Sequence, residues 1–369
     1  MKVLFDDQIF TLQEYGGISR YFYELIKRGV KENDLEVNVS LKLSNNAYLN
    51  KNTYPGLHSF YPHKNIKGKF HFIKWVNQTV SNRAVKRGKY DVFHPTYYDT
   101  AFLKHLPAGK PFTVTFLDMI HEKLSHKDEQ LAIDKTIYNN KKLLLERASK
   151  VIAISESTKN DIIEIFGVEK DRIEVIYLGS SFSAGVATDK RIIDAPYVLF
   201  VGNRAGYKNF QFFLKAVVPV LTDNKELKVV CAGGRSFNAD EMALIEELKL
   251  SDRVIYKDIE DKTLANFYKY AEAFVFPSLY EGFGIPILEA FACGCPCLLS
   301  NTSSLPEVGG DAALYFDPLD ADSLRTSLSA VLNSKEVRDN LVEKGFKRQQ
   351  LFSWDKTYTQ TIEFYKSLL

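Results

Sequence analysis

The stretch Phe276–Pro296, FPSLYEGFGIPILEAFACGCP, carries two glutamates, Glu281 and Glu289, with Gly282, Gly284 and Pro286 between them. On one continuous helix they would lie about 12 Å apart along the axis. The two glycines and the proline argue against that. Proline suits the first helical turn and glycine the helix end, so a helix is expected from Pro286 through ILEAFAC to Gly294. The apolar AFVFPS in front reads as a strand, which leaves Glu281 on the strand-to-helix loop and Glu289 in the early turns of the helix. Backbone N–H groups of GFG and of the helix start then face the space beyond the strand ends, where open α/β sheets bind ligands. The plainer account of both acids is a favourable charge near a helix N-terminus, worth ~0.3–1 kcal/mol.

The same rhythm extends outward from this stretch. YVLFVG, LKVVCAGG, RVIYKDI, AFVFPS and PCLLS read as buried strands, and NFQFFLKAVVPVL, ADEMALIEELKL and KTLANFYKYA as helices between them. Apolar strands joined by crossover helices imply a parallel sheet covered on both faces. The first half repeats the pattern less regularly, with strands at KVLF, EVNVSLKL, YDVFHP, FTVTFLD, KVIAIS and IEVIYL and helix starts near Gly17, Asp128 and Glu156. Gly179–Pro196 is small, polar and unpatterned, which suits a linker. The fold class is therefore α/β, with two Rossmann-like doubly wound domains facing a cleft. The first covers residues 1–180 and the second 181–353, and a final helix over 354–369 is expected to return to the first domain.

Composition sets the outer limits. The chain has 369 residues, 45% hydrophobic and 25% charged, as in ordinary globular proteins. A formal charge of +2 gives no overall field that would favour nucleic acid as a partner. MKVLFDDQIF lacks the apolar core and cleavage site of a signal peptide, and no run is long enough to span a bilayer. A cytoplasmic protein is expected, at most peripheral on the inner face of the cell membrane. Cys231, Cys293, Cys295 and Cys297 read as reduced thiols. The CGCPC triplet lacks the second ligand pair of a zinc site.

YEGFGIPILEAFACGCP resembles the E-x7-E motif of retaining glycosyltransferases of family 4, which have the GT-B arrangement, and SNTSSLPEVGGDAALYFDP resembles its continuation in bacterial members. Carried over, the resemblance implies that Glu281 lies beside the donor sugar, that the amides of Gly282, Phe283 and Gly284 bind sugar or phosphate, and that Glu289 accepts hydrogen bonds from the ribose hydroxyls. A carboxylate offers two acceptor oxygens for two neighbouring hydroxyls. In NRAGYKN, after the strand YVLFVG, it implies that Arg204 and Lys208 bind the diphosphate in place of a metal. Taken alone, the two cations also fit solvated loop charges. Gly233 in CAGG fits a turn where backbone approaches ligand. Gly16 and Gly17 in LQEYGGISRYFYEL resemble the family's N-terminal glycine loop and place Arg20 near the phosphates, although the pair also fits a simple strand-to-helix turn.

One position departs from the family. Many relatives have a His-Asp pair after the strand FTVTF, but here Leu117 precedes Asp118. Asp118 and His121 are therefore the candidates for that part of the site, with a structural role open for His121. The implied activity is retaining transfer of a hexose, mannose first, from GDP-mannose or a UDP-sugar to a glycan or polyprenyl-diphosphate-linked acceptor, with no metal or other cofactor. A sugar-nucleotide epimerase and a non-catalytic scaffold of a polysaccharide assembly complex are the alternatives. Between Lys51 and Tyr90 there is no acid, while basic residues alternate with Tyr61, Phe70, Phe72 and Trp75. Residues 64–89 read as a basic amphipathic helix with its leading loop. The segment suits an anionic membrane surface, or else a solvated helix with its aromatics packed inward.

Overall fold

The computed structural model describes residues 1–369 apart from 32–34, 63, 126–133, 205 and 260, and apart from the side chains of 261 and 262. The helix start expected near Asp128 lies outside the described residues. In the first lobe, β1 (Lys2–Phe5), α1 (Gln8–Leu12), α2 (Gly17–Gly29), β2 (Glu36–Val39), α3 (Lys69–Arg87) and β3 (Val92–His94) form the first part. β4 (Thr115–Phe116), α4 (Ile120–Leu124), α5 (Lys135–Arg147), β5 (Val151–Ala153), α6 (Glu156–Phe166) and β6 (Ile173–Val175) form the second. Their strands make two parallel sheets, ordered β2-β1-β3 and β4-β5-β6, and a parallel bridge between Phe93 and Phe112 connects the two.

The second lobe begins with β7 (Tyr197–Val201), α7 (Phe210–Asp223), β8 (Lys228–Ala232), α8 (Ala239–Glu247), β9 (Val254–Lys257) and α9 (Asp261–Lys269). It continues with β10 (Ala273–Phe276), α10 (Ile285–Ala292), β11 (Cys297–Ser300), α11 (Leu305–Gly309), β12 (Ala313–Phe316), α12 (Ala321–Asn333) and α13 (Lys335–Gln349). All six strands are parallel, in the order β12-β11-β10-β7-β8-β9. The strand order reverses between β7 and β10, and such a switch point opens a crevice beyond the carboxyl ends of the strands. Helices cover both faces, so β7 and β10 are buried at every position. Removing one such Val, Leu or Phe side chain from water contributes roughly 1.5–3 kcal/mol. β12, with the α12 and α13 that follow it, was not among the elements read from the sequence. Its two middle residues are only half-buried, so the apolar run is short.

No helix or strand interrupts Gly179–Pro196. After it crosses to the second lobe, the chain returns through α14 (Trp354–Lys366), which packs on α2. Tyr365 Oη lies 2.6 Å from Nδ1 of the fully buried His94, and Arg28 Nε donates to Asp355 at 2.7 Å. The four cysteines are free. Burial pushes their thiols up, that of Cys293 to about 12.

Candidate functional site

α10 starts at Ile285, one residue before the proline expected to open it, because Gly284 supplies the preceding left-handed turn at φ 102°. That backbone is open to glycine and strained for other residues. The loop from β10 into α10 is pinned from behind. Ser304 Oγ donates to the carbonyls of Glu281 and Phe283 at 2.9 and 3.0 Å, and the Glu281 amide donates to Ser303 Oγ at 2.9 Å. The Phe283 ring is buried against Tyr177 and Phe352, so only its backbone is left to face a ligand.

With its backbone fixed, Glu281 directs its carboxylate to Lys208, whose Nζ lies 2.6 Å away. These residues come from the loops after β10 and β7, the two strands at the switch point. Burial works against the Lys208 ammonium, but the Glu281 charge, helped by Tyr207, outweighs it and holds the pKa above the ordinary lysine value. The ammonium also lies over the rings of Tyr207 and Phe276, at 5.1 and 5.2 Å from their centres.

The first lobe closes on this loop. The Gly282 carbonyl accepts from Ser155 Oγ at 2.8 Å and from Thr158 Oγ1 at 3.4 Å. A Cβ at Gly282 would stand 1.9 Å from the Leu117 carbonyl oxygen and 3.0 Å from Asp118 Cβ, which places Asp118 directly opposite. His121, by contrast, is exposed on α4. Tyr280 reaches the other way, donating to Asp161 Oδ2 at 2.6 Å, and burial raises its hydroxyl pKa. Glu307 spans the gap as well. Its carboxylate accepts from the Glu156 and Ser157 amides at 2.7 and 3.2 Å, capping α6 from the opposite lobe.

Glu289 is buried on α10, with Arg20 Nη1 of α2 at 3.8 Å and the Tyr268 hydroxyl at 3.4 Å. Gly17 opens α2 with free space around it, while Gln13 Oε1 accepts from the Ser19 amide at 3.3 Å in its first turn. The structure thus brings together Glu281, Lys208, the Gly282–Gly284 loop and Asp118, and sets Glu289 facing Arg20 beside Gly16 and Gly17.

Arg204 is held differently from Lys208. Its guanidinium donates to Glu241 at 2.8 Å and to the carbonyls of Gly233 and Arg235, and it lies 4.9 Å from the centre of the Phe237 ring. Its charge is committed to α8, at the rim of an open hollow lined also by Asn203, Gly234 and Ser236. The reason is local: Asn238 and Glu241 form a capping box at the start of α8, which fixes Glu241 within reach. Gly233 and Gly234 both take left-handed conformations there.

Sequence reasoning did not single out Ser155, Thr158, Asp161, Tyr268, Ser303, Ser304 or Glu307. Ser303, Ser304 and Glu307 lie within the quoted SNTSSLPEVGGDAALYFDP and Ser155 ends the quoted KVIAIS, but none of these residues signals its partner in the other lobe or loop by local spacing. Among the described residues, no group of three or more His, Cys, Asp or Glu side chains is placed to hold a metal ion, and no helix is long and apolar enough to cross a membrane.

Two family descriptions fit the chain, Glycosyltransferase Family 4 over residues 15–181 and Glycosyl transferases group 1 over residues 189–348. The chain is 31% identical over 255 residues to O-antigen chain mannosyltransferase B of Escherichia coli, a match spanning 66% of each protein. It is 25% identical over 305 residues to the MMP alpha-(1->4)-mannosyltransferase of Mycolicibacterium hassiacum, covering 78% of this chain and 72% of that one. Among solved structures, sucrose-phosphate synthase from Thermosynechococcus elongatus superposes with a TM-score of 0.78 at 20% identity, over 100% of this chain and 98% of that one. The Anabaena protein HepE in complex with UDP and glucose superposes at 0.74 and 16%, over the whole of both chains. Two parallel α/β lobes closed over a switch-point loop, matched along nearly their whole length by these family descriptions, make the chain a member of the family 4 glycosyltransferases with the GT-B fold.

Proposed function

We propose that the chain is a retaining hexosyltransferase that moves mannose from GDP-mannose, with UDP-sugars as the second choice of donor, to a glycan or polyprenyl-diphosphate-linked acceptor in cell-surface polysaccharide synthesis. Residues 1–180 with the last helix form the acceptor side, and residues 181–353 the donor side. The observation that carries the reading is the Lys208–Glu281 pair at the switch point, 2.6 Å apart beneath the Gly282 loop. The names of the Escherichia coli and Mycolicibacterium relatives support mannose, and the UDP complex of HepE keeps the second donor class open.

Transfer breaks the bond between the anomeric carbon and the donor phosphate. The electron pair leaves with the nucleoside diphosphate, and the sugar becomes oxocarbenium-like. Lys208, kept protonated by its partner, stabilises the departing phosphate, as one preorganised contact worth ~3 kcal/mol in the transition state would do. Glu281 orients the sugar hydroxyls and stabilises the positive charge. Glu289 receives the ribose hydroxyls once the nucleotide displaces Arg20, which then faces the phosphates. Attack occurs on the face the leaving group departs from, and the phosphate oxygen takes the acceptor proton, so configuration is retained. Asp118 borders the sugar from the first lobe. Arg204 turns from Glu241 toward the diphosphate only when the donor is bound.

Incubation with labelled GDP-mannose and UDP-sugars tests this directly. Transfer to a glycan or lipid-linked acceptor is expected. Isomerised donor would replace transfer with epimerase activity, and unchanged donor with every acceptor would leave a non-catalytic scaffold. A thermal-shift series with GDP, UDP, ADP and dTDP names the base, since a nucleotide at about 100 times its Kd raises stability by about 2.7 kcal/mol.

A further inference from the structure

The aromatic residues around the start of α3 remain outside the hydrophobic core. Tyr61, Ile66, Phe70, Phe72 and Trp75 are 52%, 41%, 45%, 45% and 66% exposed. A continuous strip of rings runs across this region: Tyr61 and Phe60 are centred 5.1 Å apart, Phe60 and Phe72 5.0 Å, and Phe72 and Trp75 6.3 Å, whereas Phe70 projects from the other side of α3. Elsewhere among the described residues, Val30, Val186, Met242, Leu319 and Leu369 are exposed apolar side chains that stand singly in the sequence, and Leu12 with Tyr15 and Phe346 with Leu351 stand at most two together. Isolated exposure of that kind is ordinary, whereas a contiguous apolar patch marks a contact surface. The patch is also tied into one unit, because Lys69 Nζ donates to the carbonyls of Tyr61 and Lys64 at 3.0 and 3.1 Å and holds the leading loop on the helix.

Charge selects the partner. Lys64 Nζ lies 5.6 Å from the centre of the Tyr61 ring and Lys69 is bonded to the Tyr61 carbonyl; Lys67 stands in the same loop, Arg83, Lys86 and Arg87 continue along α3, and no Asp or Glu occurs from residue 51 to residue 90. A second copy seated on the same face by a two-fold axis would set lysines against lysines. An apolar protein groove would leave them without counter-charges. A sheet of anionic headgroups over hydrocarbon satisfies both components, with the lysines at the phosphates and the rings at the boundary below them.

We propose that the face formed by Phe60, Tyr61, Phe72 and Trp75, with the lysines that flank it, docks the protein on an anionic lipid bilayer. This deepens the reading above by naming the surface from which a lipid-linked acceptor would come, but the binding itself does not depend on that reading. On another side of α3, Lys74 and Gln78 line a hollow with Asp6, Asp7 and Asp99 beyond the carboxyl ends of β1 and β3. The docking helix therefore also borders the strand-end side of the first lobe.

The chain has two tryptophans, and Trp354 is buried at 3% exposure, so a change of emission on adding vesicles reports Trp75. With phosphatidylglycerol-rich vesicles at low salt, the full chain is expected to float and its emission to shift to shorter wavelength. Pure phosphatidylcholine should bind at least about tenfold more weakly, and high salt should weaken binding to the anionic vesicles. The double variant Phe72→Ser/Trp75→Ser should lose at least about tenfold in vesicle affinity. The variant should stay folded with at most a small drop in melting temperature, since Trp75 is largely exposed and Phe72 nearly half-exposed. Absence of flotation at low salt, or equal flotation of the double variant, overturns the proposal. So does a dimer that the double variant abolishes in a protein that ignores vesicles, which would give the face to a second copy. Transfer to a soluble acceptor, assayed on the same preparations, reports separately on the enzymatic reading.

Discussion

Glu281 and Lys208 test the chemistry at the residue scale. On the proposed mechanism, Glu281→Gln keeps the shape but removes the charge that faces the Lys208 ammonium and would orient the sugar, so turnover should fall by about 100- to 1000-fold while nucleotide affinity changes little. Comparing kcat with the Kd for the nucleotide checks this, and normal turnover would remove Glu281 from the mechanism. Lys208→Met should weaken nucleotide binding and turnover together, because the leaving phosphate is charged both before and after transfer. Gly282 is constrained by space. Its missing Cβ would lie 1.9 Å from the Leu117 carbonyl oxygen, a backbone atom that cannot swing aside. Gly282→Ala should therefore cost about 1–3 kcal/mol and push the lobes apart locally, measurable as a lowered melting temperature with reduced activity. Of this site, the two glutamates, the glycine loop and Lys208 were legible because the motif is contiguous or adjoins a strand end. The engagement of Arg204 by Glu241 was not, since it depends on how α8 packs beside β7.

Elements carry the connections between the lobes. α6 has its own Ser155 cap and a second acceptor, Glu307, contributed by the opposite lobe. Glu307→Ala removes an acceptor for two helix-start amides, and a loss of about 0.5–2 kcal/mol is expected by denaturant melting. If stability were unchanged, water would be shown to serve those amides equally well. The position of α10 was readable to within a residue or two, because proline and glycine constrain the backbone through their own covalent structure. α3 was readable as a helix but not in its orientation. Its aromatics fit either an inward or an outward face until the surrounding sheet is in place, and Phe70, Phe72 and Trp75 are exposed.

At the scale of the whole molecule, α14 joins the end of the chain to the first sheet through His94. Burial holds the imidazole pKa down to about 3, so the folded protein keeps His94 neutral where an unfolded chain would protonate it. Stability should consequently be unaffected by this group above about pH 6.5 and should fall as the pH drops from there toward about 3, by an amount on the order of 4 kcal/mol. Melting temperatures across that range should decline less steeply in His94→Gln, even if the variant starts lower through its altered bond to Tyr365. A parallel slope in both proteins would place the acid sensitivity elsewhere. The sequence alone determined the alternation of strands and helices, the α/β class, the linker-like stretch after β6 and the residue types offered at the strand ends, since periodicity, proline and glycine act over a few neighbours. Tertiary structure decided which of those residues meet: Glu281 with Lys208, Glu289 with Arg20, Gly282 with Leu117, and Glu307 with the start of α6. These pairs join residues far apart in the chain, and their distances follow from strand order and from the placement of one lobe against the other, which no local pattern encodes.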